Sequence, residues 1–168
     1  KLPDNIPVDD SLLRLAGYYI AEGHVHNREI VFTFNKKEIE FAEDIKFITK
    51  KLFGLEATTK IRASKNTIDV MISSSHLAKL FKEWFGTGAA NKAVPHFMML
   101  LPPAKQIELV KGMWRGDGYV GSKKAGYKTI SKILKEQMKM LLLRQAIVPS
   151  ISENKAYDIH KTSYGIEI

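Results

Sequence analysis

Two acidic residues in this chain stand where an acid is electrostatically awkward. Glu22 sits in LAGYYIAEG (15–23) and Asp117 in VKGMWRGDG (110–118). Laid over each other, Gly17 matches Gly112, Ala21 matches Gly116, Glu22 matches Asp117 and Gly23 matches Gly118, an offset of 95 residues. Both segments read as helices that stop at the final glycine. Each carboxylate therefore meets the negative end of its helix dipole. In each helix the two small residues lie four apart on one face, Gly17 with Ala21 and Gly112 with Gly116. Small-residue faces let two backbones approach closely. If the helices cross there, the two acids end side by side, and repulsion adds to the dipole conflict. A divalent cation relieves both. Mg²⁺ takes oxygen ligands and is often held by one or two carboxylates plus phosphate. The carbonyls of Ala21 and Gly116 are candidates for further ligands. Paired metals of this type activate water and stabilise the leaving oxygen in phosphodiester hydrolysis. Either helix ending alone is ordinary; the matched pair points to a site.

The elements that must position these acids can be read along the chain. Residues 1–10 form a polar leading loop, with Asp9 or Asp10 as helix cap, and 11–22 form the first acidic helix. Residues 29–34 (EIVFTF) are β-prone, and 37–53 form an amphipathic helix with Ile39, Ala42, Ile45, Ile48 and Leu52 on one face. Two strands, 55–63 and 67–73, flank the turn Ser64-Lys65-Asn66, and a helix capped by Ser74 or Ser75 follows over 74–85. Residues 86–103 read as a linker with one short apolar patch. The order then recurs: helix 104–117, hairpin 119–131, helix 132–147, strands 149–153 and 164–168. This is a duplicated half-domain, too long for a solenoid repeat. The expected fold class is α+β, two pseudo-twofold-related αββαββ(α) halves, 1–103 with the linker and 104–168, the second without its final helix. Such symmetry suits a target that is itself nearly twofold, as duplex DNA is. Tyr18, Tyr19, Met113 and Trp114 read as core or helix-interface residues. His24 and His26, two apart in a turn, are more often neither metal nor phosphate ligands.

Composition narrows the partners. Lys and Arg number 26 against 18 Asp and Glu, a net charge of +8. A polyanion is the favoured partner, nucleic acid first and an anionic membrane second. No apolar run approaches a membrane span, so no membrane role is expected. Without cysteine there are no disulfides and no thiolate zinc sites. A reducing, cytoplasmic setting is the expectation. The Lys-, Glu- and Ile-rich composition suits a thermophile. The first residue is not Met, which suggests a piece of a longer or processed chain.

At the acidic helices a family resemblance emerges. LAGYYIAEG resembles the LAGLIDADG motif of homing endonucleases at five of nine positions, with Glu22 where that family usually has Asp. VKGMWRGDG is a looser copy that keeps Gly112, Asp117 and Gly118. NKAVP (91–95) is similar to the Lys-containing block of intein-borne members, and KTISKILKEQMKMLLLRQAIVPSI (128–151) to their Ser-Lys helix block. The resemblance, to the endonuclease domain of archaeal inteins, covers nearly the whole chain in the expected order. The splicing residues of an intein do not accompany it.

The resemblance implies saddle-shaped antiparallel sheets lying along the major groove, where β-ribbons read base edges. Suitable contacts are Arg28, Lys60, Arg62 and Lys65 in the first half, and Lys123, Lys124, Lys128, Lys155 and Lys161 in the second. It also makes Lys92 the candidate catalytic lysine, a cation that holds the attacking water and offsets developing charge. Glu22 and Asp117 become Mg²⁺ ligands, with Mn²⁺ able to substitute. The implied partner is a long, pseudo-palindromic duplex site, cut on both strands by a monomer with 3′ overhangs. As an intein the chain would sit inside a host protein. Rival readings are a DNA-binding protein on the same scaffold that does not cut, an RNA maturase acting in intron splicing, and an unrelated basic interaction domain.

Overall fold

The computed structural model describes residues 2–122, 124–156 and 161–168. Helix α1 (Asp10–Glu22) is capped by Asp9, whose carboxylate accepts the Leu12 N–H at 3.0 Å. Leu12, Leu13, Leu15, Ala16, Tyr18, Tyr19 and Ile20 are all buried. A helix apolar on every side is a core helix, so α1 runs through the centre of the molecule. It stops at Gly23, but with extended backbone (φ −84°) instead of a left-handed turn. Glycine is needed there for space: a Cβ would lie 2.5 Å from the Tyr19 ring.

The chain passes straight into β1 (Gly23–His26), paired with β2 (Glu29–Asn35). His24 and His26 therefore lie on a strand, a correction to the turn expected for them. GHVH is too short to announce a strand by its own alternation. Helix α2 (Ile39–Phe53) buries Ala42, Ile45, Ile48 and Leu52 as its periodicity requires. Ile39, assigned to the same face, is 53% exposed, because the first residue extends past the packed turns. Strands β3 (Ala57–Arg62) and β4 (Thr67–Ser73) follow, joined through Asn66 at φ 56°. Helix α3 (Ser75–Phe85) is capped by Ser74. The strands form one antiparallel sheet in the order β1-β2-β4-β3. Ile30, Phe32, Phe34, Ile68, Val70 and Ile72 face the helices.

Residues 86–103 are more than a linker. They hold a one-turn helix α4 (His96–Met99), and Val94 and Met98 are buried. The Gln137 side chain exchanges two 2.7 Å hydrogen bonds with the Val94 backbone. Prolines and glycines hid this packing, since they mark turns whether or not those turns are buried.

The second half repeats the first: α5 (Pro103–Asp117), β5 (Gly118–Val120), β6 (Ala125–Thr129), α6 (Lys132–Arg144), β7 (Ser150–Asn154) and β8 (Ser163–Glu167). Its antiparallel sheet has the equivalent order β5-β6-β8-β7. Ring pairs keep the register as well. Tyr19 and Phe32 centroids lie 6.2 Å apart, and their counterparts 95 residues later, Trp114 and Tyr127, 6.1 Å. The halves differ around these rings. Phe81 and Phe85 of α3 close on Tyr19 at 5.1 and 5.3 Å. Around Trp114 the described residues leave an apolar groove lined by Val110, Leu142, Ile147 and Ile168. Among the described residues no helix is long and apolar enough to cross a membrane.

Candidate functional site

Helices α1 and α5 cross backbone to backbone. A Cβ added at Gly17 would lie 2.5 Å from the Leu109 carbonyl oxygen and 2.7 Å from the Gly112 Cα. One added at Gly112 would meet the Arg14 carbonyl oxygen at 2.5 Å. One turn on, a Cβ at Gly116 would meet the Ala21 Cβ at 2.4 Å and the Glu22 Cγ at 2.9 Å. The four small residues thus form the crossing, and the helix ends bring Glu22 and Asp117 together.

The electrostatics follow from this placement. Burial first, and then the Asp117 charge, push the Glu22 carboxyl up to about 7 against the opposing pull of Lys92. Burial raises Asp117 to about 6, against Lys92 and a 3.4 Å hydrogen bond from the Tyr127 hydroxyl. Two acids that ionise reluctantly near neutrality call for a cation.

Lys92 is the buried cation beside them. It is 6% exposed and its ammonium enters the end of α1, donating to the carbonyls of Tyr19 (2.6 Å), Gly23 (2.6 Å) and Ala21 (3.4 Å). Burial lowers it to about 8, opposed by Asp117 and Glu22. Its carbonyl accepts from the Ser131 hydroxyl at 2.7 Å, which ties the loop to the cap of α6. A cavity of about 350 Å³ opens beside it, lined by Ala21, Lys92, Asp117, Lys128 and Thr129. A second, of about 240 Å³, is lined by Glu22, Gly23, His24, Thr87 and Lys92. Burial and Lys92 hold the His24 imidazole below its ordinary pKa.

The donor set fits a hard divalent ion, since every candidate donor is oxygen. Among the described residues no group of three or more His, Cys, Asp or Glu could hold a metal. A cation here would have two protein carboxylates and take its remaining ligands from backbone, water or a bound phosphate. The Ala21 carbonyl, one candidate, is shared with Lys92.

The basic residues spread over the open sheet faces and their turns. Arg28, Lys60, Arg62, Lys65, Lys124, Lys128, Lys155 and Lys161 are exposed. Lys128, Lys155 and Lys161 line one depression with Asn154 and Ser163. Two are not free: Arg62 pairs with Asp69, and Lys124 with Glu167 at 2.6 Å. Lys123 lies outside the described residues. The sequence reading missed Tyr127, Ser131 and Asp69. Tyr127 was findable as the repeat partner of Phe32, and Asp69 as the lone acid in the apolar strand TIDVMIS.

Comparison with known proteins agrees with this architecture. The model of the LAGLIDADG-like domain matches residues 9–86 and 104–168, and the chain belongs to that family. An uncharacterized protein of Methanocaldococcus jannaschii is 30% identical over 158 residues, which is 92% of this chain and 19% of that protein. A DNA polymerase of Thermococcus kodakarensis is 29% identical over 145 residues, 82% of this chain and 8% of the polymerase. The chain thus spans less than a fifth of these relatives. In fold it is similar to the homing endonuclease I-DmoI in complex with DNA and Mn, with TM-score 0.70 and 16% identity over 96% of this chain and 91% of that one. It is also similar to the N-terminal LAGLIDADG domain of DUF199/WhiA, with TM-score 0.64 and 14% identity over 100% and 79%.

Proposed function

We propose that this chain is a metal-dependent endonuclease that binds a long, nearly twofold duplex DNA site and cuts both strands. The observation that carries the reading is the pairing of Glu22 and Asp117, both raised toward neutrality, at a crossing built from Gly17, Ala21, Gly112 and Gly116. A structural helix pair gains nothing from two crowded acids. I-DmoI, of the same fold, has been solved with DNA and with Mn or Ca.

In this reading Glu22 and Asp117 hold Mg²⁺ or Mn²⁺, with the Ala21 and Gly116 carbonyls as further ligands. When bound, the ion supplies an activated water and charge stabilisation at the phosphate. Glu22 and Asp117 must be deprotonated to serve. Lys92 keeps their local charge tolerable and fixes the end of α1. Lys128, which lines the same cavity as Lys92, would meet a phosphate bound there. Residues 1–103 and 104–168 act as half-domains, each sheet covering half of the site. The charge of +8 supplies affinity for the DNA backbone. The likeness to a polymerase over 8% of its length suits an insertion in a host protein.

A second reading, DNA binding without cleavage, draws on one observation: the Lys92 ammonium is spent on carbonyls instead of facing open space. The two separate in one experiment. A duplex site is selected from a randomised library, cloned into supercoiled plasmid and incubated with Mg²⁺ or Mn²⁺. The nuclease reading expects nicked and linear products that EDTA abolishes. Tight, selective binding with intact plasmid overturns it in favour of the second. Preference for an RNA competitor over duplex DNA overturns both in favour of a maturase.

A further inference from the structure

The open face of the first sheet contains a buried acid. Asp69 lies on β4 and is 1% exposed, aligned with Thr33 of β2 on one side and Lys60 of β3 on the other. Its neighbours along β4, Ile68 and Val70, point to the helices, so Asp69 points to the open face. An apolar residue would cover this spot at lower cost, because replacing a buried ion pair by hydrophobic groups is often neutral or stabilising. The acid is nevertheless fully engaged. It accepts from the Thr33 hydroxyl at 2.9 Å on one oxygen and from the Arg62 Nε on the other. Lys60, directly across the ladder, is not its partner.

The geometry of Arg62 gives this arrangement a purpose. Its side chain is 48% exposed, and only Nε is bound to Asp69. Among the described residues Nη1 and Nη2 carry no hydrogen bond. Thr33 fixes the plane of the carboxylate, and the carboxylate fixes the plane of the guanidinium. A long, flexible side chain is thereby held as a rigid fork with two outward donors. That fork matches the O6 and N7 acceptors of guanine, which only the major groove presents together.

We infer that Asp69 is a positioning residue that holds Arg62 to read one guanine in the major groove. The inference rests on the DNA-binding reading above. A lysine at 62 keeps the charge but loses the planar fork.

The test is site selection from a randomised duplex library with the wild-type chain, Arg62→Lys and Asp69→Asn, in Ca²⁺ to limit cutting. Affinities are then measured on the selected site and on its single-base changes. The expected result is one position where the wild type prefers guanine by about 5- to 150-fold. Arg62→Lys should flatten that position alone and leave the others and the salt dependence unchanged. Asp69→Asn should weaken the same preference in part. Melting curves check that both variants fold; if Asp69→Asn does not, Arg62→Lys, which keeps a cation beside Asp69, still tests the reading of guanine. The inference is overturned by a wild-type consensus without guanine, by a guanine preference that survives Arg62→Lys or is unchanged in a folded Asp69→Asn, or by a loss spread evenly over all positions. A wild-type chain that binds no duplex overturns the DNA-binding reading itself.

Discussion

The Lys92 ammonium lies 2.6 Å from the Gly23 carbonyl, 69 residues away in sequence, and plugs the end of the helix that carries Glu22. It thus serves as a helix cap and as the local counter-charge to both acids. Lys92→Met should lower stability by about 1–3 kcal/mol at pH 7.5, the usual cost of stranding buried acceptors. The loss should shrink at pH 5, where Glu22 and Asp117 are protonated and need no cation. Melting curves at the two pH values check this; an unchanged Tm at both would make the lysine structurally idle.

The raised acids give a signed pH dependence. Glu22 at about 7 and Asp117 at about 6 stand above their ordinary values of 4.5 and 3.8. Between those limits the folded chain holds protons that the unfolded chain has released, so their contribution to stability falls as pH rises. Without divalent metal, the Glu22→Gln, Asp117→Asn double variant should gain in Tm over the wild type as pH goes from 5 to 7.5. A gap that narrows over this window would contradict the electrostatic account. Comparison with the double variant cancels groups that do not interact with the two acids; Lys92, which both acids raise, shifts with them.

On the nuclease reading, Asp117→Asn should cut at least ~100-fold more slowly, since several kcal/mol of metal-borne charge stabilisation are at stake. DNA binding should persist or tighten, because a negative charge beside the phosphates is gone. Glu22→Gln should match it. Gel-based cleavage and binding on the same duplex decide; wild-type cutting by either variant removes that acid from the site.

The helix crossing predicts a steric outcome. Even Gly112→Ala places a Cβ 2.5 Å from the Arg14 carbonyl, a backbone atom that cannot swing aside. Overpacking of this kind costs about 1–3 kcal/mol, and Gly112→Leu should exceed it. Urea unfolding measures both, and a wild-type midpoint for Gly112→Leu would mean that the helices can part without loss.

Binding to duplex DNA should weaken steeply with salt, in proportion to the phosphates that Lys and Arg contact. Titration from low to physiological salt gives the slope. Lys60→Ala and Lys161→Ala should each reduce that slope by about one. Arg62→Lys should not, as its charge is retained.

Much of the fold was legible because the repeat is read twice. Gly17 with Gly112 and Glu22 with Asp117 located both core helices and the place where their ends meet, and α2 showed its buried face through Ala42, Ile45 and Ile48. The parts that stayed hidden depend on contacts distant in sequence. GHVH becomes a strand only because EIVFTF lies beside it. Lys92 could be singled out by resemblance alone, and nothing local shows that the end of α1 closes around it. Arg62 reads as a free surface charge unless Thr67 and Asp69 are seen to share its ladder. Local pattern locates elements; the partners of a buried polar group are set by tertiary structure.

The meeting of Gly17 and Gly112 also bears on how such a molecule changes over generations. The spacing of the two acids is gauged by main-chain atoms at the crossing, not by the side chains of either sheet. Each half is therefore a cassette with a standard fitting. Sheet residues can drift or be exchanged between lineages while the two acids keep their spacing, and on the nuclease reading a new target can be acquired without rebuilding the cutting centre, provided that the glycines at the joint are inherited with them.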